Sequence, residues 1–371
     1  MTKDKRIFQE ALKQSLEFTT RRHFLKECRT GIGMMALGSL SQGCDWLSSK
    51  NSSSNLTDIS TSLLARSPHF TSKVKSVIFL HMAGAPSQLE LFDYKPTLQK
   101  LHGMDCPASL LEGKKFAFIR GVPKLLGPQA NFKQYGQSGT WVSDHLPHFS
   151  SIVDELSIIK TVSTDQFNHA PAQLLMHTGT ARLGRPSMGS WVVYGLGSEN
   201  ENLPGFVVLT SGGNNPDAGK SAWGSGFLPS IYQGIQCRSE GDPVLFINDP
   251  KGMDRDLKKA SIDAINNINS ISHEEFNDPE TLSRIAQYEM AFKMQMSVPE
   301  TMNIKDEPAY IHEMYGTNPG TTSFANNALM ARKLVEKGVR FVQLFDWGWD
   351  SHGTSPFDAL SVGFINKCRQ V

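Results

Sequence analysis

Val77-Ile-Phe-Leu80 is a short, apolar, β-branched run that passes directly into the turn sequence His81-Met-Ala-Gly-Ala-Pro-Ser87. Runs of the same kind recur along the chain at residues 156–162, 206–209, 244–247 and 339–345. Each run is short enough to form a strand that is buried on both faces of a sheet. The stretch that begins at Val77 therefore predicts the first of five strands in one central sheet.

Helical segments are predicted between these strands. Pro171 opens a segment over residues 170–178 that Gly179 can cap, and a second helix is predicted from Asp278 to about residue 296. A third segment, residues 323–337, carries apolar residues on one helical face and stops at Gly338. Strands that alternate with helices predict an α/β fold with a mostly parallel central sheet.

The composition is that of an ordinary globular protein. The chain has 371 residues, of which 39% are hydrophobic and 20% charged, so it is long enough for one large domain or two smaller ones. Its 37 Lys and Arg residues against 36 Asp and Glu give no general attraction for nucleic acid or for anionic membranes. Five widely spaced cysteines without a CxxC pair give no support for a disulfide scaffold or a structural zinc module.

Residues 1–47 have the layout of an export signal. The pair Arg21-Arg22 precedes an uncharged stretch over residues 30–44, which is too short for a helix that spans a bilayer, since a span takes about 20 residues. Paired arginines before a weakly apolar run resemble the twin-arginine signals of proteins that are exported folded. We therefore expect the twin-arginine export machinery as a partner, and the periplasm or the cell surface as the location.

Two features follow the signal. Cys44 could be lipidated after cleavage, although Ser41 and Gln42 match the usual lipobox poorly, so membrane contact is expected only through the signal or this lipid. Residues 48–73 begin with a serine-rich stretch that cannot bury a core and are predicted to be a linker. The α/β domain is then expected over residues 74–371.

Polar residues follow the predicted strands, where parallel α/β sheets bind their ligands. Asp350 and His352 are metal candidates, because a carboxylate and an imidazole two residues apart in an extended loop can point the same way. Alternatively, Asp350 caps a turn before Gly353 and His352 is a surface residue. His169, just ahead of the Pro171 helix start, can approach a ligand at this edge.

Three further residues have a chemical and a structural interpretation. Ser87 could be a nucleophile held in a turn, but a helix cap is the favoured reading. Arg185 could clamp an anionic oxygen or could be a solvated turn arginine. His177 lies eight residues after His169, so it is expected to be a histidine at a helix C-terminus and not a second ligand of the same ion.

Several motifs occur in the same order as in the bacterial domain of unknown function 1501 (DUF1501) family, which the chain resembles from about residue 74 to its end. They are Gly84-Ala-Pro-Ser87, Leu91-Phe-Asp-Tyr-Lys-Pro96, Asn168-His-Ala-Pro171, Gly184-Arg-Pro-Ser-Met-Gly-Ser-Trp191 and Gly348-Trp-Asp-Ser-His-Gly353. The family is placed in the alkaline-phosphatase-like, or sulfatase-like, superfamily. The resemblance therefore implies a three-layer α/β sandwich whose sheet edge holds divalent metal, such as zinc, manganese or calcium.

The resemblance also implies roles for individual residues. Asp350 and His352 are similar to one contribution to such a metal site. Ser87 and Asp93 occupy the loop after the first strand, where superfamily members place nucleophile and metal groups. The sulfatase motif C/S-x-P-x-R is absent, and Ala85 stands where the family usually has glycine.

The family continues beyond the position of Val371 with a Gly-Glu-Phe-Gly-Arg segment and an Arg-Asp-His segment. We therefore expect this sequence to be incomplete at its C-terminus. Asp350 and His352 would supply only two ligands, whereas a catalytic zinc site takes about three from the protein.

Two functions remain open from the sequence. The first is a metal-dependent hydrolase of phosphate or sulfate esters, acting on a small molecule or a polysaccharide, in which Arg185 neutralises the anion. The second is a non-catalytic periplasmic or surface protein on the same fold. It would hold a glycan or a partner with the loops at Trp347/Trp349 and Asn214/Asn215, although the two tryptophans are more typical of packing.

Overall fold

The structure is a computed structural model that describes residues 63–114, 119–238, 240–244, 249, 252–276, 278–353 and 359–369. The predicted signal region and most of the predicted linker lie outside these residues. Within the described part of the chain, no helix is long and apolar enough to cross a membrane.

A four-stranded sheet forms the centre of the fold. It contains β1 (Val77–Ala83), β4 (Phe206–Ser211), β5 (Ile235–Cys237) and β6 (Phe341–Trp347), in the spatial order β1-β6-β4-β5. All three pairings are parallel, and β6 lies between β1 and β4. A separate antiparallel hairpin joins β2 (Phe132–Tyr135) to β3 (Thr140–Ser143). The prediction of an α/β fold with a mostly parallel sheet is therefore confirmed.

Nine α-helices occur among the described residues. They are α1 (Pro96–Lys100), α2 (Ala108–Leu111), α3 (His169–Thr178), α4 (Met188–Leu196), α5 (Arg255–Phe276), α6 (Pro279–Met302), α7 (Ala309–Tyr315), α8 (Phe324–Glu336) and α9 (Gly363–Cys368). The three predicted helices correspond to α3, α6 and α8. Gly179 ends α3 with φ of 74°, and the side chain of Ser323 accepts a hydrogen bond from the Asn326 amide at the start of α8.

Successive residues of β4 and β6 point to opposite sides of the sheet, so both faces of the sheet are apolar. Helices pack against both faces. Val207 and Leu209 face one core, which they share with Val298 of α6 and Leu334 of α8. On the other face, a second core joins the sheet to α4 and to the segment that follows β4. Its buried members are Val193, Phe206, Val208, Ala222, Trp223, Tyr232, Phe341 and Phe345.

A third core lies beyond the carboxyl ends of the strands. It brings together the loop after β1, the β2–β3 hairpin, the loop after β6 and α9, through residues that include Leu91, Val142, Trp349 and Phe364. This core supports the loops that carry the candidate site.

One predicted strand is wrong. Residues 156–162 form no strand, and Ile159 and Val162 are 72% and 70% exposed. An apolar run becomes a strand only when a neighbouring strand supplies its ladder, and no ladder partner for this run occurs among the described residues.

The other differences concern the bounds and number of elements. Residues 245–247 of the predicted strand 244–247 lie outside the described residues. The sequence did not predict β5, whose three residues are too few for a recognisable alternation. It also did not predict α5, a helix of 22 residues without a buried side chain.

Candidate functional site

The loops after β1 and β6 touch at the carboxyl edge of the sheet. The register pairs Ala83 with Trp347, and the Trp349 amide donates to the Ala83 carbonyl over 3.2 Å. Gly84 has φ of 114°, and a Cβ built on it would lie 2.5 Å from the backbone nitrogen of Asp350. Residue 84 must therefore be glycine for the backbone of Asp350 to pack against the end of β1.

Three side chains meet in this position and form what we call the imidazole–carboxylate cluster: His169, Asp350 and His352. His169 Nε2 lies 2.9 Å from Asp350 Oδ2, and His352 Nε2 lies 2.8 Å from the same oxygen. His169 is the first residue of α3, so the helix start brings an imidazole across to the loop after β6. The sequence named all three residues, and the fold brings them together.

The geometry of the cluster is that of hydrogen bonds. Both imidazoles donate Nε2–H to one carboxylate oxygen, which places a proton where an ion would otherwise bind. Within the described residues, no group of three or more His, Cys, Asp and Glu side chains is arranged so that it could hold a metal ion. The donor set itself, two imidazoles and a carboxylate, is one that zinc and related ions prefer. His169 and Asp350 are about one third exposed, so their side chains have room to turn.

Asp346 anchors the loop that carries this cluster. It is 2% exposed at the end of β6, and its carboxylate accepts hydrogen bonds from Ser211 Oγ over 2.7 Å and from Trp349 Nε1 over 3.0 Å. Lys367 of α9 supplies the balancing charge, with Nζ 2.7 Å from Oδ2. Asp346 is not among the candidate residues named from the sequence. A carboxylate that ends an otherwise apolar buried strand is the signal that could have identified it.

A buried histidine pair, His81 and His177, lies between the sheet and α3. The two rings are 4.7 Å apart, and Phe345 contacts both of them edge-on. Burial lowers the pKa of His81 to about 4, and burial together with His81 lowers the pKa of His177 to about 3. His177 lies in the last turn of α3, as expected from the sequence, and is buried there. Gln343 donates to its Nδ1 over 3.2 Å, so His177 is a neutral core histidine.

A cleft of about 550 Å³ opens beside the imidazole–carboxylate cluster. It lies between the carboxyl end of β1, residues 162–164 and one face of α3, and we call it the α3 cleft. His81 contributes to its lining and His169 borders it. Gln173 of α3 connects its wall to the loop after β4, because its side-chain oxygen accepts from the Ala218 amide over 2.9 Å.

Three other candidates from the sequence form no hydrogen bond or ion pair with the cluster among the described residues. Ser87 precedes a short 3-10 helix (Gln88–Glu90), and its carbonyl accepts the first hydrogen bond of this helix, from the Glu90 amide. The Ser87 hydroxyl makes no capping bond. Asp93 forms an ion pair with Lys95 over 3.0 Å. Arg185 is exposed in the turn before α4.

The loops at Trp347/Trp349 and Asn214/Asn215, which the alternative glycan- or partner-binding function would use, are in contact. With its amide oriented to satisfy both neighbours, Asn214 accepts a hydrogen bond from Trp347 Nε1 over 3.1 Å. Trp349, by contrast, is 1% exposed and belongs to the third core, so it offers no face to a ligand.

The turn after β1 contains Ala85, at a position where the resemblance described above implies glycine. Ala85 has φ of 60°, the only positive φ outside glycine in the described part of the chain. A left-handed conformation costs an L-residue about 1–2 kcal/mol, and glycine avoids this cost. Glycine is therefore the residue that this turn favours.

Comparison with known proteins identifies the family of the chain. A family model described as "Protein of unknown function (DUF1501)" matches residues 74–365. The matched region contains the whole central sheet and the imidazole–carboxylate cluster. No curated protein and no solved structure matches significantly.

Proposed function

The chain belongs to the DUF1501 family of proteins of unknown function. We propose that it is a metal-dependent hydrolase of phosphate or sulfate esters with an alkaline-phosphatase-like fold. One observation carries the proposal. His169 and His352 are far apart in the chain, yet both imidazoles converge on Asp350 Oδ2 at the carboxyl edge of a parallel sheet. This edge is where α/β folds of this kind bind their ligands.

The cluster has the donor chemistry for a divalent ion such as zinc, manganese or calcium. A bound ion would polarise the ester oxygen and lower the pKa of a water molecule. His169, Asp350 and His352 would hold the ion after their side chains turn from the present hydrogen-bonded arrangement and each imidazole carries its proton on Nδ1, which frees Nε2 as a ligand. Only a neutral imidazole is a ligand, so ion binding weakens as the pH falls. In this proposal, Ser87 is a candidate nucleophile on the adjoining loop and Arg185 a candidate for binding the anionic group.

Isothermal titration of the full chain with Zn²⁺, Mn²⁺ and Ca²⁺ tests the proposal. We expect one ion to bind per chain, and we expect Asp350→Asn or His169→Ala to weaken binding at least tenfold. Asp105→Asn is the matched control, because Asp105 is an exposed carboxylate paired with Lys124. Equal affinity in all variants would show that the ion does not bind at this cluster.

A second candidate function is supported by a surface feature. Trp191, Tyr194 and Phe227 form an exposed aromatic cluster, with ring centroids 5.9 and 5.7 Å from that of Trp191. Exposed aromatic rings stack against sugar rings, so this surface favours a non-catalytic glycan-binding protein. Glycan binding that Trp191→Ala abolishes, in a full chain that binds no metal, would favour this function over hydrolysis.

We also propose export by the twin-arginine route to the periplasm or the cell surface. The proposal rests on the pair Arg21-Arg22 and the short uncharged stretch after it. Replacement of both arginines by lysine should leave precursor in the cytoplasm in a fractionation experiment. Undiminished export of the double variant would contradict the twin-arginine route. A Cys44→Ala variant that leaves the membrane fraction would identify Cys44 as a lipid anchor.

A further inference from the structure

The α3 cleft has the size and the lining of a site for an apolar group. Its volume of about 550 Å³ lies within the range of small-molecule pockets, about 300–1,000 Å³. Apolar side chains supply most of its surface, among them Met82, Val162, Leu175 and Met176. Ala172 leaves space in the middle of the α3 face because its side chain is a single methyl group.

The polar residues that line the cleft are His81, Ser163, Thr164, His169 and Gln173. None of the described residues that line it is a Lys, Arg, Asp or Glu. His81 at its inner end is neutral near pH 7, since burial lowers its pKa to about 4. Gln173 already accepts a hydrogen bond from the Ala218 amide and reaches Asp217. Ser163 and Thr164 add two hydroxyl groups, which are too few to replace the hydration of every hydroxyl of a buried sugar. A hydrocarbon needs no such partner.

His169 connects the cleft to the candidate reaction site. Its imidazole borders the cleft, and its Nε2 bonds to Asp350 Oδ2. A substrate whose ester group lies at the imidazole–carboxylate cluster would therefore extend its organic group along α3, past Ala172 and Met176.

We propose that the α3 cleft binds the hydrocarbon part of the substrate, so that the substrates are small alkyl or aryl monoesters and not polysaccharides. This inference rests on the hydrolase function proposed above and narrows its substrate class. The binding energy comes from removing hydrocarbon from water, which increases with every methylene group that enters the cleft.

A series of alkyl phosphates tests the proposal on the full chain with its divalent ion. Ethyl, butyl and hexyl phosphate have leaving alcohols of similar acidity, so differences between them report on binding. Each buried methylene can raise kcat/KM by up to about fourfold. We expect hexyl phosphate to exceed ethyl phosphate at least tenfold and to exceed glucose 6-phosphate, and we expect the corresponding alkyl sulfates to follow the same order.

Two variants locate the effect. Met176→Glu places a charge in the cleft at a half-exposed position, and Ala172→Leu fills the cleft. Both should reduce the advantage of hexyl over ethyl phosphate to less than threefold, whatever the change in kcat/KM for ethyl phosphate itself. Met314→Glu is the matched control, because Met314 is an exposed helical methionine outside the cleft. Circular dichroism checks that each variant is folded.

Direct titration with ethyl and hexyl phosphate separates this inference from the hydrolase proposal. Tighter binding of hexyl phosphate without turnover would support the proposed binding role of the α3 cleft and contradict the proposed hydrolase activity. Turnover that does not depend on the length of the alkyl group would contradict the proposed role of the α3 cleft but not the hydrolase activity. A preference for long alkyl groups that persists in both variants would have the same meaning. Absence of both binding and turnover would overturn both.

Discussion

Lys367 Nζ lies 2.7 Å from Asp346 Oδ2, and this ion pair joins α9 to the end of the central strand β6. The Asp346 carboxylate is almost completely buried and also accepts hydrogen bonds from Ser211 and Trp349. A buried charge is tolerated when it is paired and hydrogen-bonded. The pair thus fixes the start of the loop that presents Asp350 and His352.

Removal of the positive charge of this pair should destabilise the protein strongly. Lys367→Met leaves the Asp346 carboxylate buried without a counter-ion, which costs about 3–5 kcal/mol of unfolding free energy. Urea denaturation measures the loss. Lys259→Met is the control, because Lys259 and Asp263 form an exposed ion pair that is worth less than about 1 kcal/mol. Equal losses in the two variants would contradict the role of the buried pair.

Stability should fall as the pH is lowered below neutrality. The pKa of His81 is lowered to about 4 and that of His177 to about 3, whereas an unfolded histidine titrates near 6.5. Between these values the unfolded chain binds more protons than the folded one. The unfolding free energy therefore decreases as the pH falls from about 6.5 to about 4, by at most about 1.4 kcal/mol per pH unit for each imidazole.

Urea midpoints at pH 7, 6 and 5 measure this slope. His177→Phe should reduce it, because phenylalanine fits among Phe79 and Phe345 and binds no proton. His69→Phe, at an exposed position, should leave the slope unchanged. A slope that is identical in the parent and in His177→Phe would rule out the buried pair as its source.

Gly84→Ala should displace Asp350 and weaken divalent-ion binding. The added Cβ would meet the Asp350 backbone nitrogen at 2.5 Å, and no flexible side chain is there to move away. Gly213→Ala separates this clash from backbone strain, since Gly213 also has a positive φ but no atom within 4 Å of the added Cβ. Both variants should lose about 1–2 kcal/mol of stability from backbone strain. Gly84→Ala should lose more because of the clash, and only Gly84→Ala should also lose metal affinity in the titration.

Glu90→Gln should destabilise the loop that leads into β2. The Glu90 carboxylate is 3% exposed and accepts hydrogen bonds from the amides of Gln129 and Ala130. A glutamine presents its NH₂ group to one of these donors and loses the charge, which costs about 1–3 kcal/mol. Exposed Glu112→Gln is the control, and hydrogen exchange at residues 129 and 130 is the local measurement. Unchanged exchange there would contradict this role.

Local sequence patterns predicted the parts of the fold that depend on neighbouring residues. The cap at Ser323 and the left-handed end at Gly179 act within one helical turn, so the bounds of α8 and α3 could be read closely. Residues 156–162 show the opposite case. Their apolar character is visible in the sequence, but a strand needs a partner elsewhere in the chain.

The candidate site divides in the same way. The sequence by itself determined the chemistry at the carboxyl edge: a D-x-H pair after an apolar run, a histidine at a helix start, and a glycine after β1. Only the tertiary structure decided that His169 and His352 share one oxygen of Asp350, and that Asp346 is buried against Lys367. These contacts join segments that are distant in the chain, and their distances follow from sheet register and helix packing, which no local pattern encodes.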